Sequence, residues 1–263
     1  MQRLLLAIVV GLFVTVSSAS AEKYSKTETK FFNISPNGTV VVENVNGTIK
    51  VEGWDKNQAS LEVTKTVRAD NSEKADEYFS DLRVDIRSGG DFLEVKTHYP
   101  HDFGGGFFDW LFNGGSRYGS VDYVLKVPST VSLNVGSTNG SVRVREVIGK
   151  VKAHSTNGRI ELEEVGGVVE GNTTNGAITA RISDKVELRR LDLGTTNGGI
   201  SVYCPEDINA DIHAHTTNGG IHTDFPITIR GGFGRTSLEG TINKGGNEIR
   251  LHTTNGGISI YKE

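Results

Sequence analysis

The segment Thr195-Thr-Asn-Gly-Gly-Ile200 is the clearest of several near-copies along the chain. Its Asn-Gly dipeptide stands in the same context at Asn46, Asn139, Asn157, Asn175, Asn197, Asn218 and Asn255. From the second copy onward the gaps are 18, 18, 22, 21 and 37 residues. Asn-Gly supplies the positive φ angles that a sharp chain reversal needs. A turn that recurs at near-constant spacing indicates a repeat architecture.

Apolar and polar residues alternate on both sides of each Asn-Gly turn. The positions three and five residues after the Asn, and four and six residues before it, are mostly aliphatic. Around Asn157 these positions hold Ile160, Leu162, Ala153 and Val151. Alternation with a period of two predicts extended strands that each bury one face.

Equivalent columns at regular spacing predict an all-β fold, a single β-solenoid built from two-strand coils of about 18–22 residues. Neighbouring coils would pair in parallel, although antiparallel hairpins use the same turns. The Asn column is interpreted as a hydrogen-bonded ladder along one corner of the stack. Because the last gap is close to two periods, a degenerate copy is predicted near residues 227–242.

The first 21 residues have the features of a signal peptide. Arg3 provides a positive start, residues 4–16 form an apolar run, and Ala19-Ser-Ala21 is a small-x-small cleavage site. The run is too short to span a bilayer comfortably. We therefore predict cleavage, export to the periplasm or cell surface, and a mature domain over residues 22–263. A retained membrane anchor is the alternative.

Composition restricts the function further. Against 28 basic residues the chain has 32 acidic ones, for a formal net charge of −4, so nucleic acid is a poor candidate partner. The lone Cys204 rules out an intrachain disulfide and a thiolate metal cluster. The chain contains no phosphate-binding glycine loop and no HExxH or GxSxG motif. We expect neither a cofactor nor enzymatic activity.

Two segments interrupt the repeat. Asp70 and Glu73 stand at capping-box spacing, and the apolar pattern after them predicts a short helix over residues 71–81. Residues 99–119 form a loop rich in glycine and aromatic residues, which either covers the open flank of the sheet or presents a contact surface for a partner. The contacts predicted for the second case are Phe107, Phe108, Trp110 and Phe112.

Three histidines are candidates for a metal site. His215 and His252 occupy the same outward column, three residues before their Asn-Gly turns, and His213 lies on the same face. Adjacent coils would bring imidazoles within reach of one metal ion. A degenerate copy between these coils would instead separate His215 from His252 by about 9–10 Å. A solvated histidine face is the alternative.

Other outward side chains suggest binding or catalysis by residue type. A threonine precedes the Asn in six copies, namely Thr138, Thr156, Thr174, Thr196, Thr217 and Thr254. A flat threonine array can bind an ordered lattice such as crystalline polysaccharide, although strand packing explains the column more simply. Solenoids also host polysaccharide lyases and hydrolases, and the acid, base or cationic candidates here are Glu161, Glu163, Arg181 and Arg189.

The chain resembles a known family. Val45-Asn-Gly-Thr-Ile-Lys-Val-Glu-Gly-Trp-Asp55, the helical insertion and the later Thr-Thr-Asn-Gly-Gly-Ile copies resemble the bacterial "putative adhesin" domain of unknown function over about residues 35–261. The resemblance implies a β-solenoid-like fold at the cell envelope and carries over no catalytic residues.

The functional hypothesis is an exported, non-enzymatic envelope scaffold or adhesin-like binding module. Its partner would be an unidentified envelope protein or polysaccharide. The alternatives are a carbohydrate-active solenoid enzyme and an envelope-stress sensor or regulator.

Overall fold

The computed structural model describes residues 11–14, 22–99 and 119–263. Within them lie twenty-two strands and one helix. Their bounds are β1 Gly11–Val14, β2 Glu22–Asn33, β3 Thr39–Asn46, β4 Ile49–Trp54, β5 Gln58–Ala69, α1 Ser72–Asp81, β6 Arg83–Ser88, β7 Phe92–His98, β8 Ser120–Pro128, β9 Ser132–Asn139, β10 Val142–Arg145, β11 Lys150–Asn157, β12 Ile160–Val165, β13 Gly167–Asn175, β14 Ile178–Ile182, β15 Leu188–Asn197, β16 Ile200–Cys204, β17 Ala210–Asn218, β18 Ile221–Thr223, β19 Ile227–Phe233, β20 Ser237–Ile242, β21 Asn247–Asn255 and β22 Ile258–Lys262.

The strands form two eleven-stranded sheets. Sheet A has the order β1-β2-β5-β8-β4-β10-β12-β14-β16-β22-β18, and sheet B has the order β19-β20-β17-β21-β15-β13-β11-β9-β3-β7-β6. Each of the seven repeated Asn-Gly turns carries the chain from a strand of sheet B to a strand of sheet A, and these strands pair in parallel with their equivalents in neighbouring coils. The predicted all-β solenoid is therefore confirmed.

The aliphatic columns form one continuous core between the sheets. Ile160 lies opposite Val142 on one side and Ile178 on the other, and all three side chains are completely buried. Val151 is equally buried at the corresponding position of sheet B. Because each layer places the same side chains at the same height, the buried surface of one coil is completed only by the coils above and below it.

Buried hydroxyl groups explain the Ser or Thr found two residues before each Asn. Each donates a hydrogen bond to the glycine carbonyl of the adjacent turn. The pairs are Ser137 to Gly47 (3.2 Å), Ser155 to Gly140 (3.0 Å), Thr173 to Gly158 (2.9 Å), Thr195 to Gly176 (3.0 Å), Thr253 to Gly198 (2.8 Å) and Thr216 to Gly256 (2.8 Å). In the first copy Asn44 replaces the hydroxyl residue, and its Nδ2 donates to the carbonyl of Val121 at 2.8 Å.

The predicted Asn ladder is also present. From Asn139 onward each side-chain amide donates from Nδ2 to Oδ1 of the preceding Asn in the stack at 2.8–2.9 Å. In spatial order the ladder reads Asn46, Asn139, Asn157, Asn175, Asn197, Asn255 and Asn218. The last two members are reversed relative to the sequence.

This reversal shows that the degenerate copy predicted over residues 227–242 is wrong. That segment contains the antiparallel pair β19 and β20, and β20 continues antiparallel against β17. The chain then turns back through Asn243, Gly245 and Gly246, all with positive φ. As a result β21 pairs between β15 and β17, and β22 pairs between β16 and β18.

The predicted helix is confirmed within one residue, but its cap differs. The side chain of Asn71, not Asp70, accepts the hydrogen bond from the Lys74 amide at 2.9 Å. The buried residues Ala75 and Phe79 form the apolar face of the helix, which packs beside β5. No helix in the described part of the chain is long and apolar enough to cross a membrane.

Two predictions fall mostly outside the described residues. Of the predicted signal peptide the structure describes only β1, which pairs antiparallel with β2. The four aromatic residues predicted as contacts, Phe107, Phe108, Trp110 and Phe112, all lie outside the described ranges. Cleavage before Glu22 and a contact role for the loop therefore stay predictions.

The hydroxyl-to-carbonyl bonds generate a test with adjacent residues. Thr195→Val keeps the shape of the side chain but leaves the Gly176 carbonyl without its donor, so we expect a loss of about 1–3 kcal/mol in the free energy of unfolding. Thr196→Val, on the exposed face, should change stability by less than about 0.5 kcal/mol. Urea denaturation of both variants measures the difference, and equal losses would contradict the assignment.

A buried polar network closes the core where β3, β7 and β8 meet. The hydroxyl of Thr97 donates to Oδ1 of Asn44 at 2.9 Å and lies 2.5 Å from the hydroxyl of Tyr123. Burial raises the pKa of the Tyr123 phenol and of the nearby Tyr99 phenol above their usual range. Both phenols are therefore held neutral in the folded chain.

The raised pKa values predict a loss of stability in alkali. Above about pH 10 tyrosines ionise in the unfolded chain but stay protonated in the core, so the folded state binds more protons and the free energy of unfolding falls as pH rises. Tyr123→Phe should reduce that slope by up to about 1.4 kcal/mol per pH unit. Denaturation between about pH 8 and pH 11 measures it. An unchanged slope would show that Tyr123 ionises freely in the fold.

Candidate functional site on the outer face of sheet B

A row of threonines runs across six consecutive strands of sheet B, one residue before each Asn. In spatial order this threonine row consists of Thr138, Thr156, Thr174, Thr196, Thr254 and Thr217. All six side chains are exposed or half-exposed. Within the described residues no hydrogen bond uses any of their hydroxyls, whereas the hydroxyls two residues before Asn are buried and bonded.

An open groove lies beside the end of the threonine row, where the chain folds back. Its volume is about 440 Å³. Residues from four neighbouring strands line this histidine groove: Asp192, His213, Ala214, His215, Ser237, Glu239, Arg250, Leu251 and His252. The groove interrupts an otherwise repetitive face, because β20 pairs antiparallel with β17 and adds side chains outside the repeat.

The fold-back places two of the predicted histidines side by side. His215 and His252 are direct register partners on β17 and β21, and their rings stack 5.7 Å apart with an interplanar angle of 8°. The spacing of about 9–10 Å expected from an intervening copy is therefore wrong. His213 lies further along β17, in register with Arg250 on one side and Glu239 on the other.

Ion pairs neutralise much of the charge around the groove. Arg250 donates from Nε to Oε1 of Glu248 at 2.7 Å, and Arg190 donates to Asp192 at 2.7 Å. At the start of β17 the Gly246 amide and the Thr241 hydroxyl hold the pKa of Asp211 below its usual range. These contacts pair both arginines with carboxylates and keep Asp211 ionised at pH 7.

The three histidines do not form a complete metal site. Among the described residues no group of three or more His, Cys, Asp or Glu side chains could hold a metal ion. The structure thus assembles a pair, His215 and His252, and leaves His213 in the neighbouring column.

Sequence comparison matches residues 38–261 to the family Toastrack DUF4097. The chain belongs to this family. The resemblance inferred from the sequence is thereby confirmed, and none of the curated proteins compared with this Toastrack chain is similar to it in sequence.

The chain is similar to several solved structures. A "putative cell adhesion protein" from Clostridium sporogenes superimposes with a TM-score of 0.53 and 12% identity, over 91% of this chain and 100% of that chain. A "putative adhesin" from Bacteroides fragilis gives 0.36 and 8%, over 90% and 97%. A "putative lipid binding protein" from Parabacteroides distasonis gives 0.30 and 14%, over 90% and 96%. At these identities the first likeness establishes a shared fold.

The candidates for acid–base or cationic roles are spread over this Toastrack domain. Glu161 forms an ion pair with Arg143 on the outer face of sheet A, and Arg181 bonds to Glu263 at 2.8 Å on the same face. Arg189 belongs to β15 in sheet B. Because they lie on two sheets, these candidates do not form one site.

Two features of the Toastrack domain were missed from the sequence. One is the cluster of Arg250, Glu239 and Ser237 around the histidines, which depends on the fold-back. The other is a cleft of about 550 Å³ between α1, β2 and β5, where Nζ of Lys26 lies 4.6 Å from the Phe79 ring centroid. Cys204 ends β16 and is fully buried, and burial raises the pKa of its thiol to about 12.

Proposed function

We propose that this Toastrack protein is an exported, non-enzymatic binding module of the cell envelope that presents the outer face of sheet B to its ligand. The observation that carries the proposal is the threonine row, six accessible side chains whose hydroxyls form no intramolecular hydrogen bond in the described residues. The hydroxyls one residue earlier hold the turns together, so the two columns have separate roles.

The threonine row matches an extended polyhydroxylated polymer lying along the stack. Strands repeat about every 4.8 Å, so six threonines extend over about 24 Å. Each contributes a hydroxyl that donates and accepts, together with a methyl group that suits the apolar face of a sugar ring. The row stands on a rigid ladder, which lowers the ordering cost of binding. A cell-envelope polysaccharide is the ligand class that fits.

Export and the loop contribute the rest of the proposal. The predicted signal peptide would deliver the chain to the periplasm or cell surface, and the aromatic residues of the loop over 99–119 would provide an apolar contact for an envelope protein. The adhesion names of the structural neighbours accord with a binding role but are statements about those proteins. The alternative function, an envelope-stress sensor, differs from this binding module in one expected result: the purified protein would carry a membrane partner with it.

The threonine row is tested by removing hydroxyls without changing shape. We expect Thr174→Val combined with Thr196→Val to weaken binding to isolated envelope polysaccharide at least about fivefold, because two hydrogen bonds of about 0.5–1.5 kcal/mol each are lost. Affinity electrophoresis against purified polysaccharides measures the change.

The matched control is Thr179→Val, a half-exposed threonine on the outer face of sheet A. It should leave binding unchanged. Equal affinity of the double variant and the unmodified chain would exclude the threonine row as the ligand surface. Sustained release of sugar products during the same incubation would instead support the carbohydrate-active enzyme.

The loop is tested by deletion. Removing residues 103–117 should leave the cooperative unfolding transition in place, since described residues from both sheets already pack into one core, and should abolish capture of an envelope protein partner. Circular dichroism and a pull-down from native envelope report the two outcomes. Loss of folding would show that the loop covers the sheet and has a structural role.

A further inference from the structure

We propose that the stacked pair His215 and His252 binds a divalent transition-metal ion, with Zn²⁺ and Cu²⁺ as the matching metals. Both are ions that accept imidazole nitrogen readily. The proposal is independent of the polysaccharide ligand. It is carried by the fold-back, which brings together two outward imidazoles that are 37 residues apart in the sequence.

The spacing of the rings fits chelation. With metal–nitrogen bonds of about 2.0–2.1 Å, a tetrahedral ion holds two imidazole centroids about 5 Å apart. The centroids of His215 and His252 are 5.7 Å apart. Both side chains are exposed, so side-chain rotations can turn the parallel rings until their nitrogens converge on one ion. The strand register fixes the two backbones and holds the ligands close together.

The imidazole nitrogens are available to a ligand. In the described part of the chain no hydrogen bond reaches the rings of His215 or His252. The strand neighbours on either side of the pair are small, Gly194 on β15 and Ser237 on β20, and leave space for an ion with its water ligands. Gly194 itself has no Cβ. The side chain closest to the place where a Cβ would stand is Asn172, whose Oδ1 is 2.6 Å from that point.

Charge around the pair favours a cation. Arg250 is the positive group closest in register, and its guanidinium is turned onto Glu248 by a 2.7 Å bond. Asp192 and Glu239 line the same groove with carboxylates. These carboxylates therefore reduce the electrostatic repulsion that Arg250 alone would exert on a dication.

Two protein ligands leave the other coordination positions open. Structural zinc sites are closed by four protein ligands, whereas this site would hold water there and exchange it for a donor atom of a partner. The expected behaviour is reversible binding that leaves the fold of the domain unchanged.

The test uses the untagged full chain. Isothermal titration with Cu²⁺ should detect one site, and electron paramagnetic resonance should show coupling to two imidazole nitrogens. His252→Ala should lower the Cu²⁺ affinity at least about tenfold and reduce the coupling to one nitrogen. Tenfold is the smallest loss expected, because removing a group that only hydrogen-bonds to a metal ligand already costs about that much. The matched control is His154→Ala, the same column position on β11, which should leave both signals unchanged.

A gain-of-ligand variant makes the test two-sided. Gly194→His adds an imidazole beside His252 on the neighbouring strand and should tighten Zn²⁺ binding at least about tenfold, since the exposed Asn172 side chain can move aside. Unchanged affinity in both His252→Ala and Gly194→His would overturn the proposal, as would an equal loss in His154→Ala. Circular dichroism of each variant shows that the fold is retained.

Discussion

The corner of each coil depends on its neighbour. At the seven repeated Asn-Gly turns the Asn side chains bond to one another along the stack, and at six of these turns a buried hydroxyl reaches the turn carbonyl of an adjacent layer. These groups would be left unsatisfied in an isolated coil, and buried polar groups without partners are costly. The turns, the core and the parallel sheets are therefore stabilised together wherever neighbouring coils stack, as in other solenoids.

The same dependence separates the structural face of the turn from its functional face. Thr195 and Thr196 are adjacent and chemically identical, yet the first bonds to Gly176 inside the stack and the second points outward, with no hydrogen-bond partner among the described residues. Strand geometry sends successive side chains to opposite faces. The buried hydroxyl column is required for the stack, and the residue that follows it in each copy forms an ordered outward row of threonine hydroxyls.

The fold-back is the second determinant of the outer surface. By inserting β21 between β15 and β17, the chain replaces the expected order of coils, and the antiparallel strands β20 and β19 extend sheet B beyond β17. A break in the repeat brings together side chains that no regular column places side by side. Here the break assembles the histidine groove, whereas the candidates Glu161 and Arg189 remain on different sheets.

The sequence by itself determined the parallel layers, the buried columns such as Ile160 and Val151, the helix and the Asn ladder, because these depend on local alternation and turn chemistry that each copy carries. It did not determine the order of the last two coils. A gap of 37 residues accommodates either another copy or a hairpin with a return, and the turn at Asn255 offers the same donor and acceptor wherever it is inserted. Only the tertiary structure decided that choice, because equivalent ladder positions carry the same side chains and differ only in what packs around them. The same choice brings His215 into contact with His252.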